Sequence, residues 1–421
     1  MLATHEFIQE SSQAQRLFEA LPHWLSHVPL YREAGALVRG SLKEGAGDLL
    51  SLLPLISKRH LREGFPGNFL GARGDLDGLL DAQLVELEHT SGTSEERMPL
   101  LLGCGWWAEQ EARALRLNPL VARVLDESPG AHRVTIASPV CNNDVCYTGV
   151  PSAEERTVGT TLFVNLSRFP FLWSEADLAR MASEAAEWKP EFLDVDPVYG
   201  AVFARYCKRR GIRLPTLRFI VSSYEFVSRI HRRALERAFG VPVLNLYGST
   251  ETGHLLMENG VGQLVPSLET AVLEVINEDA NGVGELVVTT LTNEYMPLIR
   301  YQIGDLVEKI ERPYRTTYVL HGRADDALSL PGGGRVTLWQ LDRCFEGIPG
   351  ILHYQLRQEG VAGWQLLLVP EGGDEEVLNL PELRERLTDL AGAGCDLTIK
   401  TTTALLPEPS GKFRLSHTVP V

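Results

Sequence analysis

Arg218-Phe-Ile-Val-Ser222, the stretch from Ser228 to Phe239, and the run from Val241 to Leu246 decide the fold. They read as strand, helix, strand. The same rhythm extends upstream: Arg133-Val-Thr-Ile-Ala-Ser138 as a strand, Glu175 to Trp188 as an amphipathic helix, Phe192 to Val195 as a strand and Pro197 to Arg210 as a helix. Short apolar strands alternating with helices predict a parallel sheet covered on both faces.

Outward from this centre the texture changes. Downstream, Ala271 to Ile276, Gly284 to Thr290, Leu306 to Ile310 and Thr317 to Leu320 are β-rich, with Gly and Asn turns between them. From about residue 326 a smaller unit mixes helices (Leu338 to Phe345, Pro381 to Ala391) with strands (Tyr354 to Arg357, Gln365 to Val369, Asp396 to Thr401). Upstream, Trp106 to Leu125 reads as a long helix broken near Asn118-Pro119, and the first 90 residues read as helices and loops. Leu17, Phe18, Leu21, Trp24 and Leu25 recur there at helical spacing. The predicted fold class is α/β. A large N-terminal domain, 1–323, holds parallel α/β sheets and a β-rich part, and a small mobile α+β lobe covers 324–421.

Composition narrows the function. Forty basic against 55 acidic residues leave a formal charge of −15 in 421 residues, which argues against general nucleic-acid binding. No apolar run approaches the roughly 20 residues of a membrane-spanning helix. Met1 to Gln13 lacks the charged and apolar regions of a signal peptide. Six cysteines are too sparse for a disulfide scaffold. A cytoplasmic enzyme is the expectation.

Four segments carry candidate chemistry. His89-Thr-Ser-Gly-Thr-Ser-Glu95 clusters small hydroxyl residues around a glycine, which leaves backbone N–H groups free to wrap an anion. Alone, it is an ordinary turn. Asn245-Leu-Tyr-Gly-Ser-Thr-Glu-Thr-Gly253 follows a strand, where open α/β sheets bind ligands. Glu251 is a magnesium candidate there, since magnesium takes one or two carboxylates plus phosphate oxygens. Tyr247 offers a ring to stack on a base. Gly284 to Asp305 and Gly322-Arg-Ala-Asp-Asp326 follow. An Asp can accept both ribose hydroxyls, and an Arg can pair with a phosphate or bridge to a ribose. Each alone is equally a loop salt bridge.

In this order and spacing the segments resemble the adenylate-forming superfamily of acyl-CoA synthetases, luciferases and peptide-synthetase adenylation domains. Gly284 to Asp305 is most similar to the phenylacetate–CoA ligase branch, and Pro409-Ser-Gly-Lys-Phe-Arg414 resembles the superfamily's closing motif. The resemblance runs from about residue 50 to 420. It implies activation of a carboxylic acid by ATP and Mg2+ to an acyl-adenylate, then rotation of the small lobe and attack by a thiol. By residue, it implies that Thr90, Ser91, Gly92, Thr93 and Ser94 form the phosphate loop. Ser222, Ser223 and Tyr224 would border the adenine, and Asn245, Tyr247 and Gly248 would lie beside base and substrate. Thr250 would touch the α-phosphate, Glu251 the magnesium and Asp305 the ribose, helped by Arg323. Asp325 would be the hinge. Lys412 would bridge the substrate carboxylate and the α-phosphate.

Three departures stand out. Glu95-Glu96-Arg97 replaces the usual Gly-Lys-Pro continuation, leaving Arg97 as the substitute cation. Leu330-Pro-Gly-Gly-Gly334 is richer in glycine than the usual post-hinge loop. Leu255 to Leu268 lacks the Cys and His with which some relatives hold zinc, so no structural zinc is expected.

Elsewhere, Cys141 and Cys146 read as buried thiols, while Asn142, Asn143, Asp144 and Tyr147 are candidates to line an acid pocket. Lys208-Arg209-Arg210 and Arg229, Arg232, Arg233 and Arg237 are either solvated helix faces or a dock for coenzyme A phosphates or an acyl-carrier protein. The expectation is an aryl or arylalkyl acid as substrate and coenzyme A, or a carrier-bound phosphopantetheine, as acceptor. A homodimer is compatible with the sequence. Rival expectations are a non-thiol acceptor such as an amine, or a nucleotide-binding relative without catalysis.

Overall fold

The computed structural model describes residues 2–38, 50–71, 75–90, 97–139, 145, 147, 150–313, 315–372 and 378–419. The chain forms two compact units. One comprises Met1–Asn118 and Leu246–Leu320, the other Pro119–Asn245 and His321–Val421. This division does not follow the expected boundary after residue 323. The C-terminal stretch clusters with the central one because Leu352, Val369, Leu405 and Phe413 are buried in the same core as Val198, Tyr199, Val202 and Phe203.

In the first unit, helix Leu2–His27 lays Leu17, Leu21, Trp24 and Leu25 into a core with Leu101, Val288, Leu298 and Tyr301. Each such side chain contributes roughly 1.5–3 kcal/mol through removal from water. Phe18 belongs to the same sequence pattern yet points outward, 48% exposed. The β-rich part is an antiparallel run ordered Ala271–Ile276, Val283–Thr290, Tyr301–Arg312, Arg315–Arg323, Leu264–Pro266, Gly253–Glu258 and the end of Val243–Ser249. Val85–His89 pairs antiparallel with Pro99–Gly103. This corrects the reading of the first 90 residues as helices and loops only.

In the second unit, Val243–Ser249 starts a sheet that continues through Phe219–Ser222, Phe192–Val195, Arg133–Ile136 and Thr161–Phe163, all parallel, with Thr157–Val158 antiparallel at the edge. Helices Glu175–Trp188, Pro197–Arg210 and Arg229–Phe239 connect the strands. Ser174 and Asp196 cap the first two by accepting amide hydrogens of the opening turn, as the helix start demands. Within the same unit, a four-stranded sheet (Asp396–Thr401, Gly363–Pro370, Ile351–Glu359, Ser416–Val419) carries helices Leu338–Arg343 and Leu380–Ala391 around its own apolar core. The long helix expected from Trp106 is two, Trp106–Leu115 and Pro119–Glu127, with proline at the first position of the second. No helix among the described residues is long and apolar enough to cross a membrane.

Candidate active site

The two units each hold part of the expected constellation. In the first, strand Val243–Ser249 runs past the expected end at Leu246 and turns back as Gly253–Glu258. Residues 250–252 are therefore the tip of an antiparallel hairpin. The pairing is tight at Gly248: a Cβ there would lie 2.3 Å from the Gly253 carbonyl oxygen, so only glycine fits. Thr250 sits half-buried at the tip. Glu251, 6% exposed, accepts a hydrogen bond from the Tyr301 hydroxyl (3.1 Å) and pairs with the Lys58 ammonium (3.3 Å). Burial alone would push the Glu251 pKa up. The Lys58 charge, with hydrogen bonds from its own backbone, Ser249 and Tyr301, outweighs this and holds the carboxyl below its ordinary value.

Asp305, 8% exposed, accepts the Tyr247 hydroxyl hydrogen at 2.7 Å. It lies where the pairing of its strand with Val283–Thr290 shifts, Glu285 facing Leu306 and Val287 facing Gln302. Gly304, at φ +88°, makes that bulge accessible to the backbone. Tyr247 therefore spends its hydroxyl on orienting Asp305. Thr90 closes the base of the expected phosphate loop: its amide donates to the Met98 carbonyl and its hydroxyl accepts from the Met98 amide, both at 3.0 Å. Ser91, Gly92, Thr93 and Ser94 lie outside the described residues.

In the second unit, Ser222 is the last residue of its strand in the parallel ladder and pairs with Asn245. Its hydroxyl is buried and makes no hydrogen bond among the described residues. Ser223 and Tyr224 both donate to Asp194, at 2.8 and 3.1 Å. Tyr224 takes φ +73°, a conformation rare for a non-glycine residue, so this turn is under backbone strain. Lys412, half-buried, lies on the loop after Ser410, and its charge acts on two acids, Asp196 and Glu225. Burial pushes Asp196 up to about 7, against the pull of the Val198 and Tyr199 amides and the Lys412 charge. Glu225 keeps some residue surface, but its carboxyl end is enclosed; desolvation and then the Asp196 charge raise its pKa. Arg323 and Asp325 are exposed, and Asp325 sits in the single turn Ala324–Asp326. Tyr147 is half-buried, while Cys141, Asn142, Asn143, Asp144 and Cys146 lie outside the described residues.

The basic clusters divide. Arg232 and Arg233 donate to the carbonyls of Val243 and Ile348, and Arg229 pairs with Asp342 and Glu346. Lys208, Arg209 and Arg237, with Arg205, line a cleft of about 480 Å³ in which, among the described residues, the one carboxylate, Glu371, pairs with Lys208.

Sequence reasoning missed Lys58, Asp194, Asp196, Glu225 and Tyr301. None stands in a motif segment used to find the site except Tyr301, and their roles arise from contacts far apart in sequence.

No family model matches the chain. Among curated proteins, the phenylacetate–coenzyme A ligase of Escherichia coli is 25% identical over 96% of this chain and 93% of its own length. The Thermus thermophilus enzyme of the same name is 29% identical over 52% of this chain and 57% of its own. Protein CapK of Staphylococcus aureus is 27% identical over 55% of this chain, and the match spans about half, 53%, of CapK. Among solved structures, a 2-hydroxyisobutyryl-CoA ligase in complex with its acyl-adenylate superposes with TM-score 0.71 at 17% identity, over 97% of this chain and 89% of that one. An anthranilate CoA ligase in complex with anthranoyl-AMP gives TM-score 0.56 at 15% identity, over 78% and 65%.

Proposed function

From the premise that this chain belongs to the adenylate-forming superfamily, we propose that it is an AMP-forming acid–thiol ligase. It joins a carboxylic acid to AMP and then passes the acyl group to a thiol. The observation that carries this reading is Glu251, a buried carboxylate kept ionised at a hairpin tip beside the Tyr247–Asp305 pair. One ionised carboxylate fits magnesium, whose remaining positions are filled by phosphate and water oxygens. Bound there, the metal would offset charge on the phosphates.

This chain's residues do the rest. Asp305 accepts ribose hydroxyls, with Arg323 as its helper. Ser222, Ser223 and Tyr224 border the adenine, and Asp194 fixes the orientation of the last two. Attack of a carboxylate on a phosphate joins two anions, so the barrier is largely electrostatic. Lys412 lies between those anions and stabilises them most as they meet, which lowers the barrier and does not merely tighten binding. The segment from Asp325 onward is the mobile lobe, and its rotation makes closure a condition for chemistry.

An aryl or arylalkyl acid is the proposed substrate and coenzyme A the proposed acceptor, as in the names of the relatives. The cleft of Arg205, Lys208, Arg209 and Arg237 suits acceptor phosphates. The acidic pair Glu95-Glu96 beside the phosphate loop favours the rival reading of a relative without catalysis.

Acid-dependent ATP–pyrophosphate exchange across aryl, amino-aryl and aliphatic acids separates the two. Exchange with an aryl acid is expected, and its absence with every acid overturns the ligase reading. Lys412→Ala should lose exchange by orders of magnitude, yet still transfer the acyl group from preformed acyl-adenylate.

A further inference from the structure

The loop that carries Lys412 is clasped along its length by residues of the 119–245 stretch of the same unit. The Arg168 guanidinium donates to the Pro409 carbonyl (2.5 Å) and the Ser138 hydroxyl to the Ser410 carbonyl (3.3 Å). The Tyr199 hydroxyl lies 2.8 Å from both the Gly411 and Arg168 carbonyls and shares its one proton between them. The Phe413 amide donates to Glu225 Oε1 at 2.5 Å. The Phe413 ring packs edge-on against Phe171, Tyr199 and His353, with centroids 5.2–6.1 Å away.

The fit is steric as well as polar. Gly411 takes φ +86°, and a Cβ there would fall 1.8 Å from the Ser138 hydroxyl oxygen. No other residue occupies position 411 while the loop is docked. Among the described residues, the charges of Asp196, Lys412 and Glu408 act on Glu225, and of these three Lys412 is the cation.

We propose that Glu225 is a positioning residue for Lys412: it anchors the amide of Phe413, the next residue along the chain, and so latches the 409–413 loop in the docked arrangement that adenylation uses. The inference rests on the role proposed above for Lys412. The latch consists of one carboxyl acceptor, three carbonyl anchors and a glycine-only contact. Lobe rotation must break all of them together, which makes the docked loop a discrete state.

Hydrogen exchange on the full-length protein, read peptide by peptide, tests this independently of activity. Glu225→Ala and Gly411→Ala should each speed exchange across 409–413 and leave helix Pro197–Arg210 as protected as before. Glu225→Gln, which keeps the acceptor oxygen, should restore protection. In half-reaction assays Glu225→Ala should slow pyrophosphate exchange about 10²-fold, the loss expected when a reacting group is misplaced. The KM for ATP and acyl transfer from preformed adenylate should change far less. Unchanged protection of 409–413 in both variants, or equal loss of both half-reactions, overturns the latch. If the wild-type protein catalyses no exchange with any acid, the proposed function fails, and the protection of 409–413 still decides whether the latch exists.

Discussion

Lys58 Nζ stands 3.3 Å from Glu251 Oε1, and of the two side chains only the lysine reaches solvent, 41% exposed against 5%. A carboxylate this enclosed needs a counter-charge to stay ionised. The sequence shows a phosphate loop without its usual lysine and offers Arg97 as replacement. The structure sets a different lysine against the candidate magnesium ligand. Lys58 opens the short helix Lys58–Arg62, capped by Ser57.

Removing that cation should let burial dominate and raise the Glu251 pKa. Lys58→Ala should therefore shift the acidic limb of the pyrophosphate-exchange pH profile upward, with activity partly recovered at higher pH. Glu251→Gln should lose about 10²-fold or more at every pH, because metal-assisted charge stabilisation is worth several kcal/mol. An acidic limb that stays in place in Lys58→Ala would show that the ion pair is not what keeps Glu251 ionised.

Asp305 and Tyr247 make a second separable pair. A hydrogen bond to a charged acceptor is worth about 1.5–3 kcal/mol, so Asp305→Ala should weaken ATP binding roughly tenfold to a hundredfold. Tyr247→Phe removes the 2.7 Å contact that orients the carboxylate and should cost about 1 kcal/mol. Titration calorimetry with ATP measures both. Unchanged affinity in Asp305→Ala contradicts the ribose assignment.

His231 and His353 predict acid sensitivity. Their rings stack 5.2 Å apart, Nε2 of the first lies 3.1 Å from Nδ1 of the second, and both residues are fully buried. Burial pushes His231 down to about 3; burial and then the His231 charge push His353 well below its ordinary value. Both are neutral in the folded protein. The unfolded chain takes up these protons near pH 6.5, so it binds more protons than the native state between pH 6.5 and about 3. The histidines' contribution to stability should be intact above pH 6.5 and fall as pH drops through that window, by up to about 1.4 kcal/mol per pH unit for each, opposed by the buried acids Asp196, Glu225, Asp326 and Asp342, whose raised pKa values favour the folded state as pH falls. Urea unfolding at pH 8, 6 and 5 measures the slope. The double variant His231→Phe, His353→Leu should flatten it, and an equal slope in wild type and variant refutes the assignment.

Much of the fold is legible along the chain. Glu175–Trp188, Phe192–Val195, Pro197–Arg210 and Ala271–Ile276 appear with the bounds their periodicity predicts. The two helices repeat their buried positions over 14 residues each, and the two strands are short β-branched or apolar runs set between helices or turns. The Val85–His89 strand is short and carries Glu86, Glu88 and His89 on a partly exposed strand, so its alternation is easily lost among loop residues. Gly253–Glu258 follows a turn of Ser249, Thr250, Glu251 and Thr252, which lacks the Asn-Gly or Asp-Gly pair that marks a two-residue hairpin.

For the site, the sequence by itself determined which residue types stand where: the hydroxyl-rich loop after His89, the glutamate at 251, the aspartate at 305 and the glycine–lysine pair near the end. Motif order and local spacing carry that information because neighbours along the chain stay neighbours in the fold. Only the tertiary structure decided the charge and partner of each group. Phe413 and Glu225 are 188 residues apart, and His353 and His231 are 122 apart. Ionisation depends on burial and on the nearest charge, and both are set by which elements pack together. Lys58 holds Glu251 ionised and desolvation keeps His231 neutral for this one reason: the field at a buried group is made by residues brought close in space.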